Sequence, residues 1–98
     1  MNICVVGLGL IGGSFCKAIS KRTAHSCFGI DVNKDTLNSA KADGSIKDII
    51  SSIRLSEMDM TIVCLHPKQT IEFIKNNADK FKKGSIVLDL CGVKGEIV

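Results

Sequence analysis

The sequence predicts a three-layer α/β domain: a doubly wound parallel sheet of strand order 3-2-1-4-5, with helices on both faces. Three observations predict it. Short apolar runs at Ile3 to Val6, Ser26 to Ile30, Met60 to Leu65 and Ser85 to Leu90 alternate with stretches of helical periodicity, and runs without polar alternation suit strands covered on both faces. The first run breaks into glycines at Gly7, Gly9 and Gly12, and the second ends on an acid, Asp31. Right-handed crossovers between successive parallel strands then give the order.

The first strand, Ile3-Cys4-Val5-Val6, opens after a polar Asn2 and stops at Gly7-Leu8-Gly9-Leu10-Ile11-Gly12-Gly13-Ser14. Gly7, Gly9 and Gly12 stand at the spacing GxGxxG. The first allows a sharp turn off the strand, the second lets main chain approach a diphosphate with no Cβ in the way, and the third lets the following helix pack closely on the strand. That helix is predicted over Ser14 to Arg22, with Phe15, Ala18 and Ile19 on one face. Its first turn has N–H groups without intrahelical partners and a partial positive charge, so an anion binds there without a lysine. Leu8, Leu10 and Ile11, between the glycines, therefore count with them among the candidate cofactor-binding residues.

The second strand ends at Asp31, 24 residues beyond Gly7, near the spacing at which an acid meets the adenosine ribose of a dinucleotide. A carboxylate accepts from both ribose hydroxyls and repels a 2′-phosphate, which favours NAD over NADP. Lys34 leaves NADP open. The alternative for Asp31 is a cap on the helix that follows, a role that Asn33 or Asp35 fills as well. Val32 joins Asp31 in the candidate site.

The second helix is predicted over Asn33 to Ala42, with Leu37, Ala40 and Lys41 spaced helically and Gly44 ending it. From Ser45 to Met58 the pattern is weak; Ile46, Ile49, Ile50 and Ile53 suggest a short edge strand near Ile46 to Ile50. The fourth strand, Met60 to Leu65, closes at His66-Pro67. Proline suits the first turn of a helix, so a third helix is expected over Pro67 to Phe81 with Ile71, Ile74, Ala78 and Phe81 inward. Leu65, His66 and Pro67 then stand at the carboxyl end of a strand, where open α/β sheets bind ligands. His66 reads as a wall of the site, because nothing in the sequence supplies it with an orienting partner for acid–base work. Lys80, Lys82 and Lys83 suit the negative end of that helix, and the fifth strand runs from Ser85 to Leu90.

With 98 residues and 45% hydrophobic content, the chain is one dinucleotide-binding domain, residues 1–98, too short to carry a substrate domain as well. The net charge of +3 is spread without a basic stripe, and there is no Trp or Tyr, which argues against a nucleic-acid surface. Five cysteines at positions 4, 16, 27, 64 and 91 show no CxxC spacing and read as reduced core residues of a cytoplasmic protein. His25 and His66 are not grouped with other ligands, so no metal site is expected. Neither a signal peptide nor a membrane-length segment is present in these residues.

These residues carry a family resemblance. GLGLIGGS at positions 7–14, then Asp31, then Leu65-His66-Pro67, then Leu88-Asp89-Leu90-Cys91-Gly92-Val93-Lys94-Gly95 resembles the amino-terminal NAD-binding half of prephenate and arogenate dehydrogenases. The resemblance covers all 98 residues and implies a Rossmann-like fold with NAD as cofactor. It further implies oxidative decarboxylation of prephenate to 4-hydroxyphenylpyruvate, in tyrosine biosynthesis. Gly92 and Lys94 then fall on the substrate side, although the family has a serine where this chain has Gly92. The family's catalytic histidine and substrate-binding arginine lie beyond this segment, in a region absent here, so no catalytic residue is assigned and the chain alone is expected to be inactive. Its exposed fifth-strand edge would favour a homodimer. Other readings are the NAD-binding domain of another β-hydroxyacid-type dehydrogenase or imine reductase, and a non-catalytic NAD-sensing module.

Overall fold

In the computed structural model, which describes residues 1–90, the order is β1 (Asn2–Val6), α1 (Leu10–Arg22), β2 (Ser26–Ile30), α2 (Lys34–Ala42), β3 (Asp48–Ile49), a 3-10 helix (Ser52–Glu57), β4 (Met60–Val63), α3 (Pro67–Asn77) and β5 (Ile86–Asp89). The five strands form one sheet of order β3-β2-β1-β4-β5, parallel throughout. This is the doubly wound, Rossmann-like arrangement expected. β1 is central: Cys4 lies opposite Phe28 on one side and Thr61 on the other.

Alternation along β1 sends side chains to opposite faces, and two apolar clusters follow from it. Ile3 and Val5 meet Cys16 and Ile19 of α1, Leu37 of α2 and Ile62. Cys4 and Val6 meet Phe28, Leu55, Met58 and Val63, with Phe73 and Phe81 packed against them. Helical layers therefore cover both faces.

Several boundaries differ from expectation. α1 begins at Leu10 rather than Ser14, so Gly12 and Gly13 are helical although glycine is a weak helix former. Its inner face is Gly12, Cys16 and Ile19, all buried. Phe15 is 40% exposed and Ala18 is exposed, because the earlier start puts a different stripe on the sheet. The edge strand is only Asp48–Ile49. The stretch after it forms a 3-10 helix that the sequence pattern did not suggest, and it places Leu55 fully inside the core, a burial that contributes about 2 kcal/mol.

α3 ends at Asn77 instead of Phe81 and turns its Thr70 and Asn77 inward, not the predicted isoleucine stripe. Ile71 is 65% exposed, Ala78 is exposed, and Ile74 is only half-buried. Two polar side chains occupy buried positions because each is satisfied: Thr70 Oγ1 donates to Leu65 O at 3.1 Å and Asn77 Nδ2 to Phe73 O at 2.8 Å. Phe81 does turn inward, edge-on to Phe73 at 6.4 Å. Cys4, Cys16 and Cys27 are buried and Cys64 is half-buried, each outside any disulfide. Burial, reinforced by the neighbouring Cys27, pushes the Cys4 thiol up to about 12, the behaviour of an inert packing residue. Cys91 lies outside the described residues.

Candidate functional site

The carboxyl ends of β1, β2 and β4 converge on one crevice, and the glycine turn forms its floor. Gly7 has φ +90°, a conformation open to glycine and strained for other residues. A Cβ there would lie 2.7 Å from Cys64 O, and the Gly7 N–H donates to Ile30 O at 2.8 Å. The turn is thus bonded to the tip of β2 and lies close against the main chain at the end of β4.

Gly9 is the N-cap of α1, which has neither a side-chain cap nor an acid in its first turn. The Gly13 N–H to Gly9 O bond, 2.7 Å, opens the helical ladder, so the N–H groups ahead of it face the crevice end with their positive charge uncompensated. A Cβ at Gly12 would stand 1.9 Å from Gly7 O, whereas one at Gly9 would meet nothing within 4 Å among the described residues. The third glycine is therefore required by packing inside the protein. The second leaves open space above the turn, and the residues present fit a diphosphate at this helix end.

Asp31 stands across the turn from Leu8. Its Oδ2 accepts from the Leu8 N–H at 2.7 Å and its Oδ1 from the Asn33 N–H at 3.0 Å. The cap of α2 is Asn33, whose Oδ1 accepts from the Asp35 and Thr36 N–H groups, so Asp31 is not occupied as a helix cap. A carboxylate has about four acceptor positions, and the two main-chain donors leave capacity on each oxygen for a hydroxyl pair.

Beside Asp31 lies a cavity of about 410 Å³ lined by Gly7, Asp31, Val32 and Leu65, by Ser52, and by Gln69, Glu72, Phe73, Asn76 and Asn77 of α3. The α3 residues were missed from sequence. Their signal is the spacing 69, 72, 73, 76, one helical stripe, hidden by its mixed polarity. The structure brings Gly7, Asp31, Val32 and Leu65 together around this cavity. Leu8 is 5% exposed and packs into the core, so only its main chain serves the site. Gly9 and Ile11 are exposed at the turn. His66 and Pro67 start α3, exposed and outside the cavity lining; the His66 carbonyl accepts from the Thr70 N–H at 2.8 Å. Lys34 shares a separate groove with Asp31 and Val32. Gly92 and Lys94 lie outside the described residues. Among the described residues no three His, Cys, Asp or Glu side chains gather as a metal ion would need, and no helix is long and apolar enough to cross a membrane.

Residues 2–96 match the family described as the NAD-binding domain of 6-phosphogluconate dehydrogenase. The chain belongs to that family. It is an oxidoreductase NAD-binding domain, and its cofactor is NAD. No curated protein matches it by sequence. Among solved structures it is similar to arogenate dehydrogenase from Synechocystis, with TM-score 0.85, 23% identity and coverage of 91% of this chain and 32% of that one. Prephenate dehydrogenase from A. aeolicus, solved with hydroxyphenyl propionate and NAD+, gives TM-score 0.80, 23% identity and coverage of 91% and 32%. Mycobacterium tuberculosis 3-hydroxyisobutyrate dehydrogenase gives 0.78, 19% identity and coverage of 90% and 30%. These are likenesses of fold, and the chain spans about a third of the length of each structure.

Proposed function

We propose that this domain is the cofactor-binding half of a cytoplasmic dehydrogenase acting on prephenate or arogenate in tyrosine biosynthesis, and that it is inactive alone. The observation that carries the reading is the GLGLIGGS turn with Asp31 opposite it. The fold likeness to arogenate and prephenate dehydrogenases supports the choice of substrate. In this reading the main-chain N–H groups of Gly9, Leu10 and Ile11 receive the diphosphate, Asp31 accepts from the adenosine ribose hydroxyls, and adenine enters the cavity between Val32 and α3. Two carboxylates, Asp31 and Glu72, line that cavity and disfavour the 2′-phosphate of NADP. NAD when bound supplies the hydride acceptor. The chain's own task is to hold it in place, with Leu65, His66 and Pro67 completing the adenosine half of the site and Gly92 and Lys94 the candidates for a substrate role. In this reading the base and the substrate-binding arginine are supplied by a helical domain of the full-length enzyme, as the family resemblance implies.

Calorimetric titration tests the first half: NAD is expected to bind and NADP to bind at least tenfold more weakly, and equal affinities would overturn the role given to Asp31. The second half is tested on a full-length protein carrying this domain. It is expected to reduce NAD with prephenate or arogenate; turnover of 3-hydroxyisobutyrate or 6-phosphogluconate in their place would overturn the substrate. The latter result belongs to a second reading, a β-hydroxyacid-type dehydrogenase, which the family match over residues 2–96 favours.

A further inference from the structure

We propose that Asp31 is a positioning residue for the glycine turn, holding it in its anion-receiving shape before any cofactor arrives. The proposal rests on the NAD site described above and adds a second task for one of its residues.

The argument starts from two consecutive amides. The Gly7 N–H donates to the carbonyl of Ile30, the last residue of β2, at 2.8 Å. The chain then reverses through Gly7 at φ +90°, and the Leu8 N–H, belonging to a residue 5% exposed, finds the Asp31 carboxylate at 2.7 Å. Beyond the end of a strand there is no ladder carbonyl to take such an amide, and a main-chain donor at a buried residue needs a partner. Asp31 supplies it, in a charge-assisted bond of the strong class. The other carboxylate oxygen is fixed by the Asn33 N–H at 3.0 Å, so the side chain is held from both sides, by the turn and by the approach to α2. The loop that presents Gly9 to a ligand is therefore pinned immediately before it. A ribose arriving with two hydroxyls adds to these bonds and need not displace them, since each oxygen retains an acceptor position.

This predicts an effect opposite in sign to simple electrostatics. Removing a carboxylate near an anion site should strengthen anion binding; removing the clamp on the turn should weaken it. The probe is inorganic pyrophosphate, which has the diphosphate and no ribose for Asp31 to touch. Asp31→Ala is expected to bind pyrophosphate at least fivefold more weakly than the wild-type chain. Asp31→Asn keeps one acceptor oxygen for the Leu8 N–H but drops the charge and turns its NH2 toward the Asn33 N–H, so it is expected to bind pyrophosphate more tightly than Asp31→Ala. Tighter binding by Asp31→Ala would overturn the proposal.

A ligand-free measurement accompanies it. Amide hydrogen exchange at Leu8, followed by NMR, should be at least tenfold faster in Asp31→Ala than in the wild type and intermediate in Asp31→Asn, and an unchanged rate in Asp31→Ala would overturn the proposal. Protection of the β1 and β4 amides in the same spectra reports whether the variant is folded; should the alanine variant unfold, Asp31→Ser, too short to span to Leu8, takes its place. Titration of the wild-type chain with NAD reports separately on the cofactor reading.

Discussion

Replacing Gly12 by alanine tests how tightly α1 is seated on the glycine turn. The new Cβ would stand 1.9 Å from Gly7 O, while carbon–oxygen contacts begin near 3.3 Å. The first turn of α1 must therefore back away from β1 by more than about 1 Å, and neither atom belongs to a side chain that could swing aside. Overpacking of this kind costs about 1–3 kcal/mol, with the upper end expected against main chain. Alanine returns about 1 kcal/mol of helix propensity. A net loss of about 2 kcal/mol lowers Tm by about 10 °C in a domain of this size, and NAD affinity should fall at least tenfold because the displaced turn carries the diphosphate donors. Gly13→Ala is the control. It makes the same change one residue along the helix, where the nearest atom is Leu8 O at 3.7 Å, an ordinary contact, so it should stabilise by about 0.5–1 kcal/mol. Urea and thermal unfolding of both variants decide the matter: a Gly12→Ala protein as stable as the wild type would refute the close packing of α1 on β1.

Three further outcomes are expected. Gly9→Ala, whose Cβ meets none of the described residues within 4 Å, should leave stability within about 0.5 kcal/mol yet weaken NAD binding at least tenfold in calorimetry; unchanged affinity would place the diphosphate elsewhere. Thr61 is fully buried and its Oγ1 has no hydrogen-bond partner among the described residues, so Thr61→Val should raise the urea-derived stability by about 1 kcal/mol, and a loss would show that the hydroxyl is satisfied. Asp59 accepts from Lys82 Nζ at 2.8 Å and from the Asn2 N–H at 2.7 Å; these bonds hold its carboxyl below the usual range. Its folded pKa being lowered, its stabilisation is complete above the unfolded value near about 4 and is lost as pH falls through the folded value. Asp59→Asn should therefore melt below the wild type at neutral pH, and the gap should close in acid; a gap independent of pH would show that the ionised carboxylate contributes nothing.

Much of this fold is legible in the chain because local and global preferences agree. β2 occupies Ser26–Ile30 as read, since an apolar run bounded by a polar start and an acid has one way to sit in a parallel sheet. The α2 cap was legible too, Asn33 being a residue type that bonds the following N–H groups. α1 was read as starting four residues late because Gly12 and Gly13 oppose helix on propensity, and what makes them helical is the approach to Gly7 O, a tertiary fact. α3 was misread for a similar reason. Whether Thr70 or Ile71 faces inward depends on the Leu65 carbonyl that receives the threonine hydroxyl, and that partner is visible only in three dimensions. With the wrong stripe turned inward, the wall made by Gln69, Glu72, Phe73 and Asn76 could not be seen. Asp31 was legible as an acid ending a strand, but its bond to the Leu8 amide was not.

The approach of the Cys64 carbonyl to Gly7, too close to admit a Cβ, has a consequence for how such a domain tolerates change. The width of the crevice is set where main chain meets main chain, at the tips of β1, β2 and β4, while the groups that would touch a ligand's edges sit on its rim: Val32, wholly exposed, with Gln69 and Glu72 on the outer turns of α3. Frame and fittings are thus separable. Exchanges at the rim should respecify which nucleotide is accepted while leaving the folding equilibrium almost untouched, and exchanges in the frame should do the reverse, which makes this small domain a candidate chassis for altering cofactor preference one side chain at a time.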